Sequence, residues 1–249
     1  MKRRDFIKSA GAGGAVAATT LAAPAIAKER IEMVMVTTWP RDFPGLGTGA
    51  QRLAKNLELM SGGRIHVEYF AAGERVKAFD SFDEVASGNA QAYHAADYYW
   101  KGKHPAFSYF CSVPFGMTTV EWNAWIKLMG GQALWDELYG EYGVKSLPAG
   151  ATGTQMGGWY RKPVEKIDDF KGIKFRMPGI GGEVLRALGV TVVNLPVAEI
   201  YPSLASGAID AAEWVGPWHD LAFGFHKITK HYFYPGFYRI HSVSYTHLR

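Results

Sequence analysis

From residue 31 onward the chain alternates short apolar, β-branched runs with stretches of helical period, each closed by glycine or proline, and does so in two successive series. Strands that alternate with helices at such short intervals lie side by side in parallel, because each return crosses the sheet as a helix. In the first series Ile31–Thr37, Ile65–Phe70 and Ala90–Ala96 read as strands. Helices fit Thr48–Ser61 and Ser81–Ser87, the latter opened by a serine cap. In the second, Gly172–Met177, Thr191–Leu195 and Ile209–Trp214 read as strands, with helices over Gly182–Leu188 and Val197–Ser206 stopped by Gly189 and Gly207. Thr118–Tyr142 between them is helical in period, and a Gly-rich stretch, Gly150–Gly158, follows. Two α/β lobes with a cleft between them and a join near Leu147–Thr154 are expected. The second series runs into a strand-like Tyr238–Val243 and six residues, Ser244–Arg249, without an element, so truncation is expected.

The N-terminus reads as an address rather than as fold. Arg3-Arg4-Asp5-Phe6-Ile7-Lys8 precedes a mild Ala/Gly stretch and Ala25-Ile26-Ala27, the pattern of a twin-arginine export signal over residues 1–27. This segment carries most of the formal net charge of +4, which leaves the mature chain near neutral and without the cationic cluster that nucleic-acid binding needs. The chain has one cysteine, Cys111, within an apolar stretch; that excludes an internal disulfide or a multi-thiolate metal site.

Ligands of open α/β sheets sit at the carboxyl ends of strands. Arg176 closes GIKFR, where its planar fork is either an ordinary surface group or a partner for a carboxylate. Glu213 stands near the end of the next strand but one, among small and apolar neighbours, where a carboxylate needs a cation. Gln155 lies at the lobe junction; its amide oxygen and that carboxylate are hard donors, suited to Na⁺ or Ca²⁺. Aromatic residues Trp39, Tyr98, Tyr99, Trp100, Trp159, Trp214 and Trp218 suit either core or pocket wall. The marks of phosphoryl transfer, zinc proteolysis and the hydrolase elbow are missing, and Gly45–Ala50 matches a dinucleotide turn only in spacing. The eight histidines show no metal-type pairing and read as surface or core residues.

In order, the twin-arginine leader, TTWP, the Gly-rich segment with Gln155, GIKFRMPG and GVTVVNLPVAEIYPSLASGAIDAAEWVGP resemble the periplasmic solute-binding proteins of TRAP (tripartite ATP-independent periplasmic) transporters, most of all the branch that binds 2-oxo acids and related monocarboxylates. The resemblance implies an α/β, two-lobed periplasmic binding protein that closes like a flytrap about a hinge. Its parts would be a first lobe over 28–150, a second over 151–236 and, from 237 to 249, the start of a return segment cut short before the family's C-terminal helices. It implies that Arg176 grips the ligand carboxylate, and that Na⁺ or Ca²⁺ is held by Gln155, Glu213 and the main-chain carbonyl of Trp214. Trp39 and Tyr98 or Tyr99 would wall the pocket, and the partners would be a small organic acid, membrane permease subunits and, in the full-length protein, a homodimer mate. The rival reading is an exported α/β enzyme, such as a lyase on organic acids with Glu213 as base; a periplasmic sensor or scaffold domain is a third.

Overall fold

The structure, a computed structural model, describes residues 30–234 and 236 together with the backbone of 238–240 and 245–246. The export signal and most of the expected return segment therefore lie outside the described residues.

β1 (Ile31–Thr37) is exposed where it begins and buried over its last three residues, so its carboxyl end points into the core. α1 (Leu46–Met60) follows. It starts two residues earlier than its periodicity suggests, because the preceding loop closes on its first turn: Thr48 N–H donates to Phe43 O at 3.0 Å, and a Cβ on Gly47 would lie 2.3 Å from the Pro40 carbonyl. β2 (Ile65–Phe70) and β3 (Ala92–Ala95) flank β1 in parallel. Between them, α2 (Ser81–Ala86) differs from expectation at its start. Asp80, at the end of a 3-10 turn, is its N-cap; Ser81 is no cap, and its hydroxyl donates back to Ala78 O at 2.7 Å. Leu53, Ala54 and Leu57 of α1 cover one face of the sheet against Met35, Val67 and Ala92.

α3 (Phe107–Cys111) leads to the long helical stretch, which divides into α4 (Thr119–Leu128) and α5 (Gly131–Gly140). Thr118 and Glu121 form a reciprocal capping box on α4, and Gly130, at φ 84°, turns the chain in a conformation that favours glycine. These helices lay Phe107, Trp122, Trp135 and Tyr139 into the core. Each fully buried aromatic such as Phe107 or Phe82 contributes roughly 1.5–3 kcal/mol.

The Gly-rich stretch is not a plain loop; it holds β4 (Gly153–Gln155) and β5 (Gly158–Tyr160). The second series then supplies β6 (Lys174–Arg176), α6 (Gly179–Ala187), β7 (Thr191–Val193), α7 (Val197–Ser206), β8 (Ala211–Ala212), α8 (Pro217–Phe223) and β9 (His231–Phe233). The order is β7-β6-β8-β5-β9, parallel through β7, β6 and β8 and antiparallel at β5 and β9. An all-parallel lobe thus gives way to a mixed sheet. The expected strand Ile209–Trp214 shrinks to its middle pair, which frees Glu213 and Trp214 from the ladder. β10 (Tyr238–Ile240) pairs with β4, and β11 (Tyr245–Thr246) pairs antiparallel with β3, so the last residues do carry an element. The two α/β lobes share one apolar core running from Val36 to Phe225. No helix among the described residues is long and apolar enough to cross a membrane.

Candidate functional site

The register of the second sheet builds the site. Arg176 is the last residue of β6, opposite Ala212 of β8, so Glu213 and Trp214 emerge beside it. Glu213 N–H donates to Arg176 O at 3.1 Å. The guanidinium of Arg176 then turns along the end of the sheet. Its Nη1 donates to Glu213 O at 2.8 Å and reaches Glu213 Oε2 at 3.5 Å, its Nε donates to Leu195 O at 3.1 Å, and its plane lies 5.2 Å from the Trp214 ring. Arg176 and Glu213 are both fully buried.

A sealed ion pair of this kind requires partners for every remaining polar atom, since each one left over costs about 1–3 kcal/mol. Here Arg176 Nη2, Glu213 Oε1, Trp214 Nε1 and Gln155 Oε1 have none. Burial pushes the Glu213 carboxyl well above the usual carboxylate range, with Arg176 pulling the other way. Gln155 ends β4 and spends its amide N–H on Thr152 Oγ1 at 3.0 Å, which leaves its oxygen free. Its neighbour Met156 donates to Val215 O at 3.0 Å, and that bond lays the segment beside Trp214. At Gly158, φ +102°, a Cβ would stand 2.6 Å from Ala212 O, so only glycine permits this approach of β5 to β8.

The first lobe closes over the same point. The Trp39 ring is 6.0 Å from Trp214 and 6.2 Å from Tyr99, and Tyr98 meets Tyr99 at 4.8 Å. Burial raises the Tyr99 hydroxyl to about 12, against the pull of Arg176. Arg176, Glu213, Trp214, Trp39, Tyr98 and Tyr99 thus gather in one cluster. Gln155 sits at its margin, and its side chain bonds to Thr152 rather than to another member of the group.

Several participants carry no sequence signal. His94 Nδ1 accepts from Trp39 Nε1 at 2.8 Å, which puts its proton on Nε2, and burial lowers it to about 3. Asp220 accepts from Trp159 Nε1, Val215 N and Tyr232 OH at 3.0, 3.2 and 3.3 Å and so anchors the chain just after Trp214; burial raises it to about 6. Phe43 stacks on Phe223 at 4.3 Å, and Lys101 pairs with Glu183; both contacts join the first series to the second. Cys111 is buried and its thiol is pushed well up, the behaviour of a core residue.

The unpaired atoms divide by chemistry. Glu213 Oε1 and Gln155 Oε1 are oxygen acceptors that a hard cation satisfies, whereas Arg176 Nη2 and Trp214 Nε1 are donors that an anion satisfies. Among the described residues no group of three or more His, Cys, Asp or Glu could hold a metal; Glu213 and Gln155 offer one carboxylate and one neutral oxygen. Such a set fits Na⁺ or Ca²⁺ and not Zn²⁺.

Comparison with known proteins places the chain in a family. Residues 35–247 match the family profile of bacterial extracellular solute-binding protein, family 7, and residues 1–20 match the twin-arginine translocation pathway signal sequence. The chain is 40% identical over 242 residues to a monocarboxylate 2-oxoacid-binding periplasmic protein of Nostoc, covering 95% of this chain and 66% of that one. Among solved structures, a TRAP periplasmic solute-binding protein from Pseudoalteromonas atlantica with bound sodium and pyruvate matches at TM-score 0.85 and 42% identity, covering 88% of this chain and 67% of its own. One from Colwellia psychrerythraea with bound calcium and pyruvate matches at 0.84 and 40%, with the same coverage. A third, from Bordetella bronchiseptica with calcium and picolinate, matches at 0.85 and 35%, covering 88% and 65%. The chain spans about two thirds of the length of these relatives.

Proposed function

The chain belongs to family 7 of the bacterial extracellular solute-binding proteins and carries a twin-arginine export signal, and from that premise we propose that it captures a small 2-oxo monocarboxylate in the periplasm for membrane permease subunits of a TRAP transporter. The observation that carries this reading is the sealed cluster in which a buried guanidinium and a buried carboxylate each keep one atom unpaired.

In this account Arg176 Nη2 donates to the ligand carboxylate, and Trp214 Nε1 offers a second donor beside it. Glu213, Gln155 and the Trp214 main-chain carbonyl would hold the cation. A cation there would offset the charge of Glu213 and would supply a hard acid for the ligand's oxygens. Trp39, Tyr98 and Tyr99 exclude water, so each ionic contact acts in a medium of low dielectric, where it is stronger. The lobes, 28–150 and 151–236, would hinge near 147–154, and return of Trp39 against Trp214 closes the site. Selectivity follows: a ligand without a carboxylate leaves Arg176 buried with a donor unmet, a cost of several kcal/mol. The likeness to proteins crystallised with pyruvate and sodium or calcium supports the ligand class, and it favours solute binding over the enzyme alternative.

Thermal denaturation of the exported protein against 2-oxo, 2-hydroxy and dicarboxylic acids, with Na⁺, Ca²⁺ or neither, tests the reading. Stabilisation by pyruvate or a homologue, abolished in Arg176→Ala, is expected. Equal stabilisation of that variant would overturn the role assigned to Arg176, and a flat response across all acids would overturn the function.

A further inference from the structure

One face of α1 borders a cavity of about 510 Å³, within the roughly 300–1,000 Å³ usual for small-ligand sites. Gly45, Gly49, Arg52 and Asn56 recur at helical spacing and form one wall. His94 of β3, the junction segment Ala149–Thr152 and Trp218 of α8 form the others. No member of the Arg176 cluster lines this cavity; it is linked to the cluster through two hydrogen bonds, His94 to Trp39 and Thr152 to Gln155.

Its chemistry suits an anion. The exposed Arg52 has no ion pair or hydrogen bond for its guanidinium among the described residues. His94 is 2% exposed; its Nδ1 accepts from Trp39, and the Nε2–H left over has no partner among the described residues. Nor is that donor sealed, unlike the orphaned atoms of the cluster, so the little surface His94 keeps includes it, and His94 is part of the cavity wall. α1 begins beside it with no acidic residue in its first turn and no side-chain cap, so the positive end of the helix dipole adds to the same sign. Among the described residues no Asp or Glu lines the cavity to oppose an anion, while Leu46, Leu53 and Trp218 supply apolar surface.

We propose that this cavity is a second anion site, separate from the Arg176 cluster, for a small carboxylate with a compact apolar body. The carboxylate meets Arg52 and the His94 Nε2–H, and the body lies against Leu46, Leu53 and Trp218. A guanidinium and a ring N–H give an ionised carboxylate charge-assisted hydrogen bonds that an amide of the same shape does not receive. Gly49 keeps the cavity open: a Cβ there would meet nothing within 4 Å, so a larger side chain at that position fills the space without displacing a neighbour. The site shares no residue with Arg176, Glu213 or Gln155, so binding here needs no cation and stands apart from the role assigned to Arg176.

Calorimetric titration of the exported protein with benzoate, in buffer freed of Na⁺ and Ca²⁺, tests this, with benzamide as the uncharged twin. Benzoate is expected to bind at one site per chain and about tenfold or more tighter than benzamide, the worth of a hydrogen bond to a charged group. Arg52→Gln should erase that preference, and Gly49→Leu should weaken benzoate binding about tenfold or more by filling the cavity. Arg176→Ala should bind benzoate as the wild type does. No benzoate binding, equal binding of benzamide, a preference that survives Arg52→Gln or an undiminished affinity in Gly49→Leu would each overturn the site. Loss of benzoate binding in Arg176→Ala would place the benzoate in the cluster instead and overturn it as well. Pyruvate titrated separately with the cations present reports on the proposed function alone, so the two readings fail independently.

Discussion

Acidification should destabilise this protein through His94, and the size of the effect follows from its burial. His94 titrates near 3 in the folded chain against an ordinary 6.5, because burial disfavours its charged form. As the pH drops below 6.5 the unfolded chain takes up this proton and the folded chain does not, so stability is lost across that window. Linkage puts the loss at about 3 kcal/mol between about pH 7.5 and about pH 4.5. Asp220 works in the opposite sense. Raised from 3.8 to about 6 by burial, it binds its proton first in the folded state. The same pH change therefore returns about 2 kcal/mol. Protonating His94 would also set two N–H donors face to face at the 2.8 Å contact with Trp39. Urea unfolding of the wild type and His94→Gln at the two pH values isolates the term. The glutamine oxygen can still accept from Trp39, it does not titrate, and the carboxylates cancel in the comparison. Between the two pH values the wild type should lose about 3 kcal/mol relative to the variant. Equal pH dependence in both proteins would refute the assignment of a buried, neutral His94.

Three further outcomes are expected. Attraction across the 3.5 Å Arg176–Glu213 pair, about 5 kcal/mol at an effective dielectric of 20, is matched in order by the cost of burying the carboxylate. Glu213→Gln leaves Arg176 as a buried charge without its counter-ion, and should cost about 3–5 kcal/mol of ligand-free stability while weakening cation-dependent pyruvate binding about tenfold or more, read by urea unfolding and calorimetry. Lys101→Ala removes a half-exposed ion pair that joins α6 to the first lobe, and should raise the ligand dissociation rate about two- to fivefold in stopped-flow fluorescence with little change in melting temperature. Gly158→Ala forces a Cβ to 2.6 Å from Ala212 O at positive φ, and should cost about 2 kcal/mol or more in urea unfolding.

Much of the buried cluster proposed as the site was legible in the sequence for a definite reason. Arg176 stands at the carboxyl end of a strand with period-two patterning, and Glu213 is an acid among small and apolar neighbours; both properties are local. Trp39, Tyr98 and Tyr99 were legible as aromatic, and their convergence on Trp214 is a matter of tertiary packing. His94 and Asp220 were not legible. The first finds its partner 55 residues away and the second 61 residues away in Trp159, and a single histidine or aspartate in a strand or helix carries no mark of such a bond. Likewise β4, β5 and β9 have three residues each, too few for periodicity, and they exist because neighbouring strands offer an edge to pair with. The serine of α2 misled because a 3-10 turn before it moves the cap to Asp80.

Under the proposed function a buried arginine and a hard cation beside Glu213 hold the ligand jointly. Isothermal titration of the exported protein with pyruvate over a series of Na⁺ and Ca²⁺ concentrations, down to buffer cleared of both by chelator and choline exchange, tests it most directly. Affinity should climb in step with cation concentration and vanish when the cations are removed. Tight pyruvate binding of unchanged strength in the cation-free buffer would contradict the account.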